Sequence, residues 1–401
     1  MLSPSPSVPA PSQTRPIVLL AVAGFTSQAM VRAADSLLPQ IAADFAVTVG
    51  AASILVSGYA VVHGSIQLVS GPMGDRFGNY RLIAVATSLC SVLVFLCGLS
   101  SSLPMLTVAR VATGLSAAWI IPLGMAYIGD AIPYVRRQQV LGRYLTGQIA
   151  GQLFGQAAGG IIGDSWGWRS VFFVLACLFA VAAVGLLHEL KVNPLTQPPA
   201  RPASGPAGVL ADYRMILKTP WARIMLLAAF FEGAFMFGAF AYVGADLNRR
   251  FGLSFTLVGI LIAAFGVGGL IYAGSVRQLF AYFGETGLAA YGGITLGFAY
   301  LLLALAPAWW AAPLAISMIG LGFYMLHNTL QTNATQMAPR ARATGVCMFS
   351  AALYLGQPAG VAAMAPVIDR YGATPVFGFA AIALPTLGLW FARRLVARRA
   401  E

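Results

Sequence analysis

The chain has 401 residues, of which 59% are hydrophobic and 9% charged, and its formal net charge is +12. A soluble domain carries about 25% charged residues, so this composition excludes an ordinary solvated globule. The basic excess therefore matters for where it falls between apolar segments, and nucleic-acid binding is not its reading. Residues 1–16, rich in Pro and Ser, read as a disordered terminus. The apolar run that follows is too long for a signal-peptide h-region and lacks a cleavage site, so it is read as the first span. A spanning helix takes about 20 mostly apolar residues. Twelve segments meet that measure: 17–41, 50–70, 82–100, 104–128, 139–162, 169–188, 221–245, 254–276, 286–306, 311–336, 342–366 and 373–392.

An even number of spans puts both termini on one side. With the N-terminus cytoplasmic, 18 of the 24 basic residues fall on cytoplasmic segments, Arg169, Arg249, Arg250 and Arg370 fall opposite, and Arg32 and Arg110 lie inside spans. Cytoplasmic loops are the Lys/Arg-rich ones, so the chain is expected in the plasma (inner) membrane with both termini cytoplasmic. Residues 189–220 are the longest polar stretch. Asn193 to Pro206 reads as a flexible Pro-rich linker, and Val209 to Lys218 as a short amphipathic helix at the cytoplasmic interface. The expected organisation is thus a six-helix half at 17–188, the linker at 189–220, a second six-helix half at 221–392 and a basic tail at 393–401. Trp309 and Trp310 read as an interfacial anchor before span 10.

Two halves leave a trace as an internal repeat. Gly155-Gln-Ala-Ala-Gly159 recurs as Gly356-Gln-Pro-Ala-Gly360 at an offset of 201, whereas Asp164-Ser-Trp-Gly167 recurs as Asp369-Arg-Tyr-Gly372, and Val171-Phe172 as Val376-Phe377, at an offset of 205. Spans 5 and 11 are then equivalent, as in transporters built from repeats.

Charge inside a bilayer costs at least about 2.5 kcal/mol per group, so each buried polar residue is a candidate. Arg32 and Asp35 share a face of span 1 at i, i+3, and Gln28 extends the stripe. They read either as a cavity cluster in which Asp35 takes a proton or a cationic group, or as a static ion pair. Glu232 is central in span 7 with no basic residue within a turn. It reads as a proton carrier or as a neutral acid bonded to a neighbouring helix. Arg110 on span 4 either holds a carboxylate ionised or binds backbone carbonyls. Gln148, Gln152 and Gln156 form an i, i+4, i+8 stripe on span 5, a cavity wall rather than a lipid face. Span 10 offers His327, Asn328 and Gln331, with Asn333 beyond, and Phe235 at i+3 from Glu232 is the first candidate for an aromatic pocket wall.

The turn after span 2 is Gly71-Pro-Met-Gly74-Asp75-Arg76-Phe-Gly78-Asn-Tyr-Arg81. It resembles the signature loop between helices 2 and 3 of the major facilitator superfamily (G-x-L-x-D-R-x-G-x-R), with Met73 in the Leu place. Arg110-Val-Ala-Thr-Gly114, with Leu106 before it, resembles that family's helix-4 motif. Gly151, Gly155, Gly159 and Gly160 resemble its helix-5 antiporter motif, with Gln156 in place of Pro. The bland reading of those glycines is close helix packing. Arg277 to Gly284 keeps only an Arg and the Gly of a second-half signature loop.

The resemblance implies an all-α membrane protein of 12 transmembrane helices in two pseudo-symmetric halves, closest in type to drug/proton antiporters. It implies a central cavity between helices 1, 4, 5, 7, 10 and 11, and a conformational latch of Gly71, Gly74, Asp75, Arg76, Gly78 and Arg81, in which Asp75 caps helix 11 in one state only. Asp35, Glu232 and Arg110 become the proton-coupling candidates. Gln28, Arg32, Gln148, Gln152, Gln156, Phe235, His327, Asn328 and Gln331 become the substrate-cavity candidates.

No P-loop, no C-x-x-C among the four Cys and no hydrolytic constellation is present in the sequence. No enzyme chemistry, cofactor or metal is therefore expected. The first functional reading is proton-coupled efflux of small amphiphilic or cationic molecules by a monomer. The second is transport of a polar metabolite such as a sugar or organic acid, and the third is a ligand sensor without turnover.

Overall fold

The protein is described by a computed structural model covering residues 13–132, 134–197, 206–334, 336–338 and 342–400. The apolar segments form helices α1 (Thr14–Asp44), α2 (Val49–Ala52 continued by Ile54–Phe77), α3 (Asn79–Gly98) and α4 (Leu103–Ala117 continued by Ile120–Ala131). They continue with α5 (Tyr134–Trp166), α6 (Trp168–Val192) and α7, which runs from Pro220 to Phe251. Phe255–Leu305 supplies α8 and α9, which meet at Gly284, where φ 61° and ψ −178° break the helix. The chain ends with α10 (Ala312–Ala334), α11 (Arg342–Tyr371) and α12 (Thr374–Ala400). No strand occurs among the described residues.

Several predicted edges move. Helix α1 starts at Thr14, so the last residues of the expected disordered terminus are helical; Pro16 sits in the first turn, where its missing N–H costs nothing. Residues 1–12 lie outside the described residues. Helix α12 runs to Ala400, so the expected basic tail is its last two turns. The linker helix forms at Pro206–Lys218, with Pro206 preset for a helix start, while residues 198–205 lie outside the described residues. Tyr213 of that helix donates its hydroxyl to the Leu68 carbonyl of α2, and Ile216 is buried.

The glycine-rich turn after α2 is shorter than its composition suggests. Gly71 to Phe77 stay helical, and the reversal is made at Gly78 alone (φ 88°, ψ 124°). Gly74 leaves room for the side-chain ends of Asn79 and Leu123, which a Cβ there would displace. A Cβ on Gly71, by contrast, would meet open space.

Buried apolar residues form two large clusters, one between Leu20 and Leu186 and one between Ile216 and Leu395. Each is organised by a glycine seam. On α5, Gly147, Gly151, Gly155 and Gly159 lie against the backbone of Ala21, Phe25, Ala29 and Ala33 on α1. On α11, Gly356 and Gly360 lie against Phe230 and Ala234 of α7. Gly151 and Gly356, Gly155 and Gly360, Phe25 and Phe230, and Ala29 and Ala234 all differ by 205. The offset of 201 read for the Gly-Gln motif is thus one helical turn out of register, and a single offset of 205 relates α5 to α11.

Gln13 at the start of α1 bonds the Ala131 carbonyl at the end of α4, and Arg399 near the end of α12 pairs with Glu285 at the start of α9, 2.6 Å away. These contacts define a terminal end of the bundle; the opposite one is called here the far end.

Candidate functional site

The interior polar residues gather at two acids. On α1, Arg32 Nη1 lies 3.5 Å from Asp35 Oδ2, with both side chains buried. The i, i+3 spacing brings them together as predicted. The Arg32 guanidinium also stands 4.1 Å over the Phe237 ring of α7, and its Nε has no described partner. The pair therefore reaches from one run of six helices to the other. Gln28 is half-buried one turn away.

The second acid, with no basic residue within a turn on its own helix, meets a partner on another helix. Glu232 Oε2 lies 2.8 Å from His327 Nδ1 of α10, and its Oε1 has no described partner. Sequence distance hid this contact, since the two residues are 95 positions apart. His327 stacks on Phe323 (centroids 4.8 Å apart, planes 13° apart), and Phe323 meets Phe237 edge-on at 5.2 Å. An unbroken run of contacts, Asp35–Arg32–Phe237–Phe323–His327–Glu232, thus joins the two carboxylates.

Phe235 is not on this face. It stacks on exposed Phe231 and meets exposed Phe379 of α12, on the outside of the bundle. The cause is a π-helical stretch at Gly233–Phe237. Its wider turn shifts the phase, so the residue five positions after Glu232 replaces the one three positions after. Gly233, whose added Cβ would strike the Leu353 carbonyl, lets α11 approach at this point. Phe237 and Phe323 are the site residues that sequence reasoning missed; the crowded aromatics of α7 were the signal, but their phase was not.

Arg110 is buried on α4. It donates from Nη1 to the Met30 carbonyl (3.1 Å) and from Nε to the Leu55 carbonyl (3.4 Å), and lies 4.5 Å over the Tyr59 ring. It staples α4 to α1 and α2, the backbone-binding alternative read from the sequence. Arg110→Leu removes both charge-assisted bonds, and a loss of about 2–3 kcal/mol is expected, measurable as a lower unfolding midpoint in detergent.

Gln148, Gln152 and Gln156 are all buried. Gln148 packs beside Gly24 of α1, and its Nε2 has no described partner; neither does either amide atom of Gln156. Asn328 lies near Tyr272 of α8, and Gln331 is half-buried beyond it. Asn333 faces away from the acids and bonds Glu285.

At the terminal end, Cys347 near the start of α11 lies beside Ser70 and Gly71 at the end of α2, so the two helix ends are neighbours. Arg76 and Arg81 are exposed, and the Arg76 guanidinium leans 5.2 Å over Phe77. The Asp75 side chain lies outside the described residues.

The profile of the Major Facilitator Superfamily matches residues 20–361. The MFS-type transporter YceJ of Bacillus subtilis is 25% identical over 328 residues, covering 81% of this chain and 82% of that protein. The drug efflux pump JefA of Mycobacterium tuberculosis is 33% identical over 144 residues, 36% of this chain and 28% of the pump. Among solved structures, a peptide transporter POT in complex with sulfate superposes with a TM-score of 0.79 at 15% identity, covering 98% of this chain and 97% of that one; at that identity the likeness concerns the fold.

Proposed function

The chain belongs to the major facilitator superfamily, a family of secondary transporters and not of enzymes, and we propose that it exports small amphiphilic or cationic molecules in exchange for protons. The observation that carries this reading is the Glu232–His327 pair, linked through Phe237 and Phe323 to Arg32 and Asp35. The likeness to an efflux pump supports the direction.

In this reading Glu232 and His327 share a proton site inside the membrane. A proton on the pair replaces a carboxylate by a neutral acid or balances it with an imidazolium, which lowers the cost of the buried charge. A cationic guest competes for the same negative charge, so proton and guest occupy the site in alternation. The aromatic run between the acids gives apolar and cation-binding faces for such a guest. Residues 17–188 and 221–392 rock as halves about the linker, with both termini cytoplasmic in the plasma membrane and one chain as the working unit. Asp75 latches the terminal end against α11, an arrangement supported by the packing of α11 along α2.

A second reading, transport of a polar solute, is favoured by one observation. Gln156 is fully buried with both amide atoms unpartnered, and such groups call for a hydrogen-bonding guest or water. Accumulation of a compound panel in cells lacking their major efflux pumps separates the two. Lower accumulation of cationic amphiphiles, restored by Glu232→Gln, is the expected result. Unchanged amphiphile levels with altered sugar or organic-acid levels, sensitive to Gln156→Leu, would replace the first reading by the second.

A further inference from the structure

The sequence repeat Asp-x-(Trp/Tyr)-Gly has a structural outcome that the transport site does not use. In each copy the aspartate stands near the far end of a helix, α5 or α11, and the glycine three residues on has a left-handed φ, 80° at Gly167 and 78° at Gly372, where the helix stops. Each aspartate then reaches across to the other half. Asp164 Oδ2 accepts from the Thr256 hydroxyl at 2.7 Å and from the Thr256 backbone N–H at 3.2 Å, in the first turn of α8. Asp369 accepts from the Thr48 hydroxyl at 2.8 Å and from the Gly50 backbone N–H at 3.0 Å, at the start of α2. First-turn N–H groups have no partner within their own helix, and a carboxylate is favoured there by both hydrogen bonding and the helix dipole.

We propose that Asp164 and Asp369 are paired clasps that position the two halves with the far end shut, a role that rests on the alternating-access reading. The pseudo-symmetry is complete: α5 clasps α8 as α11 clasps α2. The backbones are shaped for it. A Cβ on Gly50 would fall on the Asp369 carboxylate, and Gly160, one turn before Asp164, packs against the backbone of Gly259 on α8. All four bonds run between halves, so parting the far end by a few ångströms breaks them together, because hydrogen bonds weaken steeply once donor and acceptor leave the usual range of about 2.7–3.2 Å. Water then solvates the freed carboxylates, which keeps the clasps releasable. Neither acid lies in the cavity or on the terminal latch, so they bias the conformational equilibrium without touching cargo.

The test measures that equilibrium in the full-length chain in lipid nanodiscs, with spin labels placed on cysteines in a chain otherwise free of cysteine. Leu99→Cys with Leu305→Cys reports the far end, and Phe77→Cys with Tyr282→Cys reports the terminal end; all four positions are exposed. Asp164→Ala with Asp369→Ala is expected to raise the ratio of long to short far-end distances about tenfold per clasp, while terminal-end distances shorten. Gly50→Ala, which evicts one carboxylate without removing it, is expected to shift the ratio in the same sense. Widening at both ends would mean loosening and would overturn the clasp role. Unchanged distances in these variants, in a chain that otherwise populates two states, would overturn it and leave alternating access standing. A single distance at both label pairs in every chain would overturn both.

Discussion

Glu232→Gln is expected to abolish proton-coupled transport while leaving the protein folded. The substitution keeps the size and one hydrogen-bond acceptor toward His327 but removes the group proposed to gain and lose a proton. Coupled flux in liposomes with an acidic lumen should fall at least about tenfold, equivalent to about 1.4 kcal/mol. Guest binding in detergent should no longer release protons. His327→Asn should fall in the same direction, since it removes the other half of the 2.8 Å contact. A Glu232→Gln protein that still moves guest at the rate of the unaltered chain under the same gradient would remove Glu232 from the coupling site. Arg32→Ala separates the roles: if Arg32 acts with Asp35 through the aromatic run, coupling weakens, whereas a static ion pair predicts lower stability with coupling intact.

The second large effect is mechanical. Gly155→Ala places a methyl group against the Ala29 carbonyl on α1, and Gly360→Ala does the same at the equivalent Ala234 carbonyl on α7. Neither neighbour is a flexible side-chain tip, so relief requires helix displacement. Overpacking of this kind costs about 1–3 kcal/mol. Each variant should lower the thermal unfolding midpoint in detergent, and the double variant should lose most folded protein in size-exclusion chromatography. Gly71→Ala is the contrasting case. Its surroundings are open and helical, so an alanine there should be neutral or stabilise by about 0.5–1 kcal/mol. Equal losses at Gly71 and Gly155 would show that these glycines serve something other than helix packing.

The fold was legible because a bilayer imposes long apolar runs, and each of the twelve runs became a helix with edges moved by up to about two turns. Local pairs were legible too: Arg32 and Asp35 meet because i, i+3 spacing on a helix is short-range geometry. What spacing could not reach was contact between distant segments and phase within an irregular helix. The partnership of Glu232 with His327 depends on how α7 and α10 pack, and nothing local to either residue encodes it. Phe237 displaced Phe235 because a π-helical stretch changed the angular step between Glu232 and the aromatics. The repeat shows the same limit in milder form. The longest run of similar letters aligns at offset 201, whereas the backbone contacts of Gly151, Gly155, Gly356 and Gly360 follow offset 205. Asp164 and Asp369 were visible as repeated letters, but their partners at Thr256, Thr48 and Gly50 lie in the other half.

The central claim is that guest and proton exchange at Glu232–His327. The most direct measurement is tetraphenylphosphonium uptake into proteoliposomes with an acidic lumen and the membrane potential clamped. The account predicts uptake that collapses when the pH gradient is dissipated and is absent with Glu232→Gln. Uptake that is indifferent to the gradient, or undiminished by that substitution, would contradict it.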